Sequence, residues 1–256
     1  MSWERQIHVK SPAELEIMRE AGRINATVLA TVKELLQPGV TTADLNAAAE
    51  DVLRKHGCIS PFKGYGYPPY PASITVSVNQ ELVHGVPSKK RKLKAGDIVS
   101  VDCGTVYNGF VGDSAFTAGV GEVSPEAQKL MEVTEGALCA AIEKMRPGNR
   151  TGDVSAAIQQ YVESRGFYVT REYTGHGVGR DMHEGPQVPN YGIPGRGLPL
   201  RPGMTIALEP MVLVGTSATR VLSDQWTVVS ADGSLTAHYE HSVAVTEGDP
   251  LVLTVL

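Results

Sequence analysis

The chain has 256 residues, 42 % of them hydrophobic and 20 % charged, with 23 basic residues against 28 acidic and a net charge of −5. That balance supplies a sizeable core and excludes a disordered or collagen-like chain, and at ~150 residues per domain it fits one large domain or two small ones. The acidic excess argues against bulk-electrostatic nucleic-acid binding, so no DNA partner is expected. Cys58, Cys103 and Cys139 are scattered and form no CxxC pair, which suits a reducing compartment better than a disulfide framework or a zinc knuckle. The opening MSWERQIHVK has no apolar leader core, and no run of ~18 apolar residues follows. A soluble, cytoplasmic protein without membrane contact is expected.

The first predicted helix starts at Ser11, an N-cap followed by Pro12 and by Glu14 three residues on, and runs to a stop at Pro38-Gly39. A second is capped near Thr41 or Thr42 and ends at Gly57. A third opens at Ser124-Pro125 and stops at Pro147-Gly148, and a fourth follows through GDVSAAIQQYVESRG. The two pairs match at a constant offset of 109. Pro38 falls on Pro147, Gly39 on Gly148, Thr42 on Thr151, Asp44 on Asp153, Ala47-Ala48 on Ala156-Ala157 and Gly57 on Gly166. LKAGDIVSVD and LRPGMTIALE repeat a turn leading into an apolar strand that ends in a carboxylate. A unit of helix pair plus strands, made twice and merged into one core, explains both matches.

Those strand ends carry the chemistry. A buried carboxylate without a partner is prohibitively costly, yet Asp102 closes IVSVD and Glu209 closes TIALE. Asp102 also opens a hairpin at whose tip Asn108-Gly109 forms a two-residue turn, so Tyr107 opposes Phe110 and Gly104 opposes Asp113. Asp102 is then the diagonal neighbour of Asp113, ~7–8 Å away at the backbone, and two side chains can converge on one cation. In SLTAHYEHSVAV, alternation puts Glu240 on the face of His238 and Ser242. Four acids (Asp102, Asp113, Glu209, Glu240) would be neutralised by two divalent ions, and oxygen-rich ligation favours Mn, Fe(II) or Co while leaving Zn open.

Of the histidines, His8, His56, His238 and His241 lack a motif and read as surface or core residues. His84 in ELVHGVP and His176 and His183 in TGHGVGRDMHEGP sit beside glycines, where backbone approaches a ligand closely. One of the last two could ligate a metal while the other faces substrate, and spacing alone does not say which. The basic run from Ser88 to Lys94 suits a contact with ribosomal RNA and equally a solvated loop before a buried strand.

The segments NQELVHGVP, GDIVSVDCGTVYNGFVGD, TGHGVGRDMHEGP, GMTIALEPM and HYEHSVAVT form an ordered His–Asp–Asp–His–His–Glu–Glu series. From about Ser11 to Val255 the chain resembles the bacterial type I methionine aminopeptidases, of the pita-bread metallopeptidase family. The short link between His183 and Glu209 distinguishes it from type II members, and prolidases and aminopeptidases P usually carry an additional N-terminal domain. The resemblance implies an α+β, duplicated pita-bread fold, an antiparallel sheet with helices packed on its outer face. It implies a single catalytic domain over residues 1–256, with pseudo-twofold halves of about 11–120 and 121–250.

It further implies two divalent metals (Co, Mn, Fe or Zn) held by Asp102, Asp113, His176, Glu209 and Glu240, with Asp113 and Glu240 bridging. His84 and His183 would contact substrate, and Glu209, at the metal edge, would also move the proton of the metal-activated water. The implied activity is removal of the N-terminal methionine from nascent proteins whose second residue is small, and a monomer is expected. The methionine pocket would be lined by Tyr67, Tyr70, Thr75, Met182 and Trp226, with Met182 where phenylalanine is often found. Tyr65, Tyr67 and Tyr70 could alternatively form a stiff surface loop. A prolidase-like enzyme or a binding module remain the other classes, although none of the five ligand positions is missing.

Overall fold

The computed structural model describes residues 7–256, so Met1–Gln6, the start of the segment read for a leader, lie outside the described residues. In chain order the elements are α1 (Pro12–Glu34), α2 (Thr42–Lys55), β1 (Thr75–Val78), β2 (Glu81–Val83), β3 (Ile98–Tyr107) and β4 (Phe110–Gly119). There follow α3 (Pro125–Ile142), α4 (Thr151–Glu163), β5 (Tyr168–Val169), β6 (Thr174–Gly177), β7 (Glu184–Pro189), β8 (Thr205–Leu208) and β9 (Met211–Leu213). The chain closes with β10 (Thr219–Val221), β11 (Val228–Ser230), β12 (Thr236–His238), β13 (Glu240–Ala244) and β14 (Leu251–Val252).

The helix starts follow their local chemistry. Ser11 and Glu14 form a reciprocal capping box on α1, and Thr41 with Asp44 forms another on α2. At the matching places of the two helix pairs the chain turns through left-handed glycines: Gly39 and Gly148 both have φ +93°, and Gly57 and Gly166 have +66° and +83°. No helix among the described residues is long and apolar enough to cross a membrane.

An antiparallel sheet of order β1-β3-β4-β13-β8-β6-β7, with β14 beside β13, forms the centre. Two three-stranded sheets, β10-β11-β2 and β12-β9-β5, flank it. Helices α1 and α2 share one core with β1, β3 and β4, while α3 and α4 share another with β8, β12 and β13. Helix α1 lies close on the β3–β4 hairpin: a Cβ on Gly112 would come within 2.7 Å of the Gly22 backbone. Asn25, fully buried on α1, donates to the Cys103 and Gly112 carbonyls and accepts from Ser114 Oγ. These contacts fall on the face of β4 opposite Asp113, because successive strand residues alternate. The helix therefore backs the sheet and leaves the other face free.

Two strand expectations are corrected. Asp102 does not end a strand; β3 runs on through it to Tyr107, so the acid sits mid-strand. The segment around Glu240 is not one strand either. It breaks at Tyr239 into β12 and β13, which belong to different sheets, because Tyr239 leaves the ladder to bond the Pro210 and Thr117 carbonyls. The hairpin register matches expectation, with Gly104 opposite Asp113, Tyr107 opposite Phe110, and Asn108 and Gly109 at positive φ in the turn.

Candidate metal centre and substrate cavity

Register places the five acidic and imidazole candidates together. Thr75 pairs with Asp102, Asp102 with Ala115, and Ala115 with Glu240, and direct cross-strand partners share a face. Asp113 is two residues from Ala115 and takes the same face. On the other side His176 pairs with Ala207, which pairs with Ser242, two residues from Glu240. Glu209, just past β8, is two residues beyond Ala207. Five neighbouring strands, β3, β4, β13, β8 and β6, thus each deliver one residue to the floor of a cavity of about 410 Å³.

Asp113, His176 and Glu240 each present a ligating atom within 4.8 Å of the others. His176 Nε2 lies 3.5 Å from Glu209 Oε1 and 4.0 Å from Asp113 Oδ2. Its Nδ1 lies 2.9 Å from the Gly177 carbonyl, which can only accept, so the proton sits on Nδ1 and the Nε2 lone pair faces the acids. Burial pushes all four carboxyls above the ordinary range, and mutual repulsion adds to this at Asp102, Glu209 and Glu240. Burial also holds the His176 imidazole down at about 3. Asp102 Oδ1 and Asp113 Oδ1 are buried with no hydrogen-bond partner. Orphaned oxygens, a neutral imidazole and carboxylates that repel one another are the donor set a divalent cation satisfies.

Beside this floor the cavity wall is apolar. Phe62, Tyr70 and Ala72 pack with Val86, Met182 and Trp226. Tyr70 meets Trp226 edge to face at 5.2 Å, its hydroxyl donating to the Gly85 and Ile74 carbonyls, and the indole N–H donates to the Pro68 carbonyl. Thr75 lines the same wall. His84 follows β2 at φ +60°, and the pairing of Val83 with Val228 brings it beside Trp226, 6.1 Å between rings. Burial holds the His84 ring at about 4, uncharged near neutrality. His183 stands at the mouth on the β6–β7 connection, its ring 4.3 Å from that of His176.

Tyr67 is the exception among the expected residues. It is 97 % exposed and does not line the cavity, whereas Tyr65 does. Trp226 packs over Gly66, where a Cβ would come within 2.6 Å of the indole, and the chain turns there so that Tyr65 faces inward and Tyr67 outward. Tyr65, Tyr173 and Met211 are lining residues that sequence reasoning did not assign to the pocket. From the sequence His238 is expected only at the surface or in the core. It is buried, with Nε2 unpartnered at 3.7 Å from Glu209 and 3.9 Å from Glu240, and its place on the Glu240 face was the available signal. His241 instead bonds the Thr254 hydroxyl.

Residues 16–247 match the profile of metallopeptidase family M24. A methionine aminopeptidase of Clostridium acetobutylicum is 52 % identical over 248 residues, covering 97 % of this chain and 98 % of that protein. Methionine aminopeptidase 1 of Bacillus subtilis is 50 % identical, covering 96 % of this chain and 98 % of its own. The crystal structure of a methionine aminopeptidase from Thermotoga maritima superposes with a TM-score of 0.95 at 47 % identity, over 98 % of this chain and all of that one. The mixed α/β pita-bread architecture expected from the sequence is the fold these proteins share.

Proposed function

Because the chain belongs to metallopeptidase family M24, and because five adjacent strands converge four acids and a histidine beside an apolar pocket, we propose that it is a dimetal methionine aminopeptidase. The convergence is the observation that carries the reading. Asp102, Asp113, His176, Glu209 and Glu240 would hold the two ions, and ligand atoms of Asp113, His176 and Glu240 already lie within 4.8 Å of one another. When bound there, two divalent ions (Co, Mn, Fe or Zn) would lower the pKa of a water and polarise the scissile carbonyl. Glu209, at the edge of the cluster 3.5 Å from His176, takes and returns the proton. His183 donates to the oxygen on which charge develops, and His84 faces the scissile nitrogen and the substrate backbone.

The wall of Tyr70, Met182 and Trp226 holds the methionine side chain, a flexible thioether that gains sulfur–aromatic contact there. His84 and Tyr173, 5.9 Å apart between rings, narrow the space left for the second residue. Met-Ala, Met-Gly and Met-Ser peptides should therefore be cleaved by chelated enzyme to which metal has been returned, with Met-Lys and Met-Leu poor substrates. Release of amino acids from such a panel tests this, and efficient cleavage of Met-Leu or of X-Pro peptides would move the assignment to another aminopeptidase.

The proposed substrates are nascent chains in the cytoplasm, met by a monomer acting as one catalytic domain, residues 1–256 in halves of about 11–120 and 121–250. Lys89, Lys90, Arg91 and Lys92 are exposed and could reach ribosomal RNA. Replacing the four by glutamine should reduce co-sedimentation with ribosomes at low salt, since phosphate contacts are salt-dependent. Unchanged co-sedimentation would remove this contact and leave the peptidase reading intact.

A further inference from the structure

Tyr65 and His183 are 118 residues apart in sequence, yet the phenol oxygen lies 2.8 Å from His183 Nδ1, with the rings tilted at 58° and 5.4 Å apart. Both partners are presented by braced loops. Around Tyr65, Tyr65 N–H donates to the Phe62 carbonyl, Gly64 N–H to Tyr70 and Tyr70 N–H back to Tyr65, closing the loop on itself. Next to His183, the Glu184 carboxylate accepts from Arg180 N–H at 2.7 Å and from the buried Lys10 ammonium at 2.5 Å. Lys10 is itself tied by its backbone N–H to the Gly203 carbonyl. Side chains held this way keep a hydrogen bond in one geometry rather than sampling many.

We propose that Tyr65 is a positioning residue that sets the tautomer of His183: its phenol donates to Nδ1, so that the ring's one proton lies on Nε2 and is offered to the cavity. A neutral imidazole carries one N–H and one lone pair, and the partner of one nitrogen decides the state of the other. A phenol O–H is a stronger acid than an imidazole N–H, and an imidazole lone pair is a stronger acceptor than a phenol oxygen. The bond therefore runs from oxygen to nitrogen. His176 has the opposite arrangement, since its Nδ1 faces a carbonyl that can only accept. Two adjacent rings are thereby set to opposite tasks. His176 turns a lone pair to the acid cluster, and His183 turns an N–H donor to the substrate.

The inference rests on the reading of His183 as the donor to the developing oxyanion, and two measurements separate them. Long-range proton–nitrogen correlation spectra of histidine-labelled protein, zinc-loaded and metal-free, report which nitrogen of His183 carries the proton. Nε2–H is expected, giving way to a mixture in Tyr65→Phe, and Nδ1–H in the unmodified protein would overturn the proposal. In kinetics, Tyr65→Phe should lower kcat roughly 3–10-fold, the worth of one hydrogen bond, with KM unchanged. That penalty should vanish when His183 is already alanine, because Tyr65 then has nothing to orient. A penalty of equal size in the His183→Ala background would mean that Tyr65 acts by packing, and the proposal would fall. Full activity in His183→Ala alone would instead remove the catalytic role of His183 while the tautomer spectrum still stood.

Discussion

Chelation should abolish turnover and lower Tm together, and returning a divalent metal should restore both. The acid cluster is the reason. Asp102, Asp113, Glu209 and Glu240 are packed on one face with two orphaned oxygens between them, so the metal-free protein must either protonate these groups or hold repelling charges. An ion that binds only the folded state at a hundred times its Kd contributes about 2.7 kcal/mol. For a chain of this length that corresponds to roughly 5–10 °C in Tm per site. The sign with pH follows from the raised carboxyls. Their folded pKa values exceed the unfolded ones, so the metal-free protein binds more protons folded than unfolded and loses stability as pH rises from about 4 through the raised values. Metal requires the same groups ionised and strengthens over that range. The Tm gap between loaded and chelated protein should widen with pH. Full activity after exhaustive chelation would end the dimetal reading.

What could be read from the sequence was what local chemistry decides. Ser11 with Glu14 announces α1, and Asn108-Gly109 fixes the hairpin register that sets Asp113 beside Asp102. What could not be read depended on groups far apart in the chain. Reading Asp102 as the end of an apolar strand missed that pairing with β4 continues unbroken past it through Gly104 to Tyr107, which leaves the acid in the middle of β3. The tyrosine-rich loop has no period from which to assign faces. Only the packing of Trp226, some 160 residues away, over Gly66 turns Tyr65 in and Tyr67 out. His238 illustrates the same limit: its imidazole meets Glu209 only after β12 and β9 have paired, His238 opposite Met211. Asn25, which pins the back of the β3–β4 hairpin from α1, carries no motif at all, since its partners are mostly backbone carbonyls of another element.

The pair His176 and His183 is where a single substitution should have the largest effect, and the two should fail differently. His176 is buried, with Nε2 turned to Glu209 and Asp113. His176→Ala should therefore lose metal, with activity returning only at high metal concentration. His183 is at the cavity mouth, with Nδ1 engaged by Tyr65, and contributes no atom to the ligand cluster. His183→Ala should keep its metal content and turn over about 10²–10³ times more slowly, the effect of removing one donor from a developing oxyanion. Added metal should not rescue it, because the loss lies in stabilising the transition state and not in occupancy. Metal analysis and turnover measured side by side on the two variants decide the matter. If His183→Ala loses metal and His176→Ala keeps it, the roles are reversed, and the carbonyl behind His176 would no longer explain which imidazole turns its lone pair to the acids.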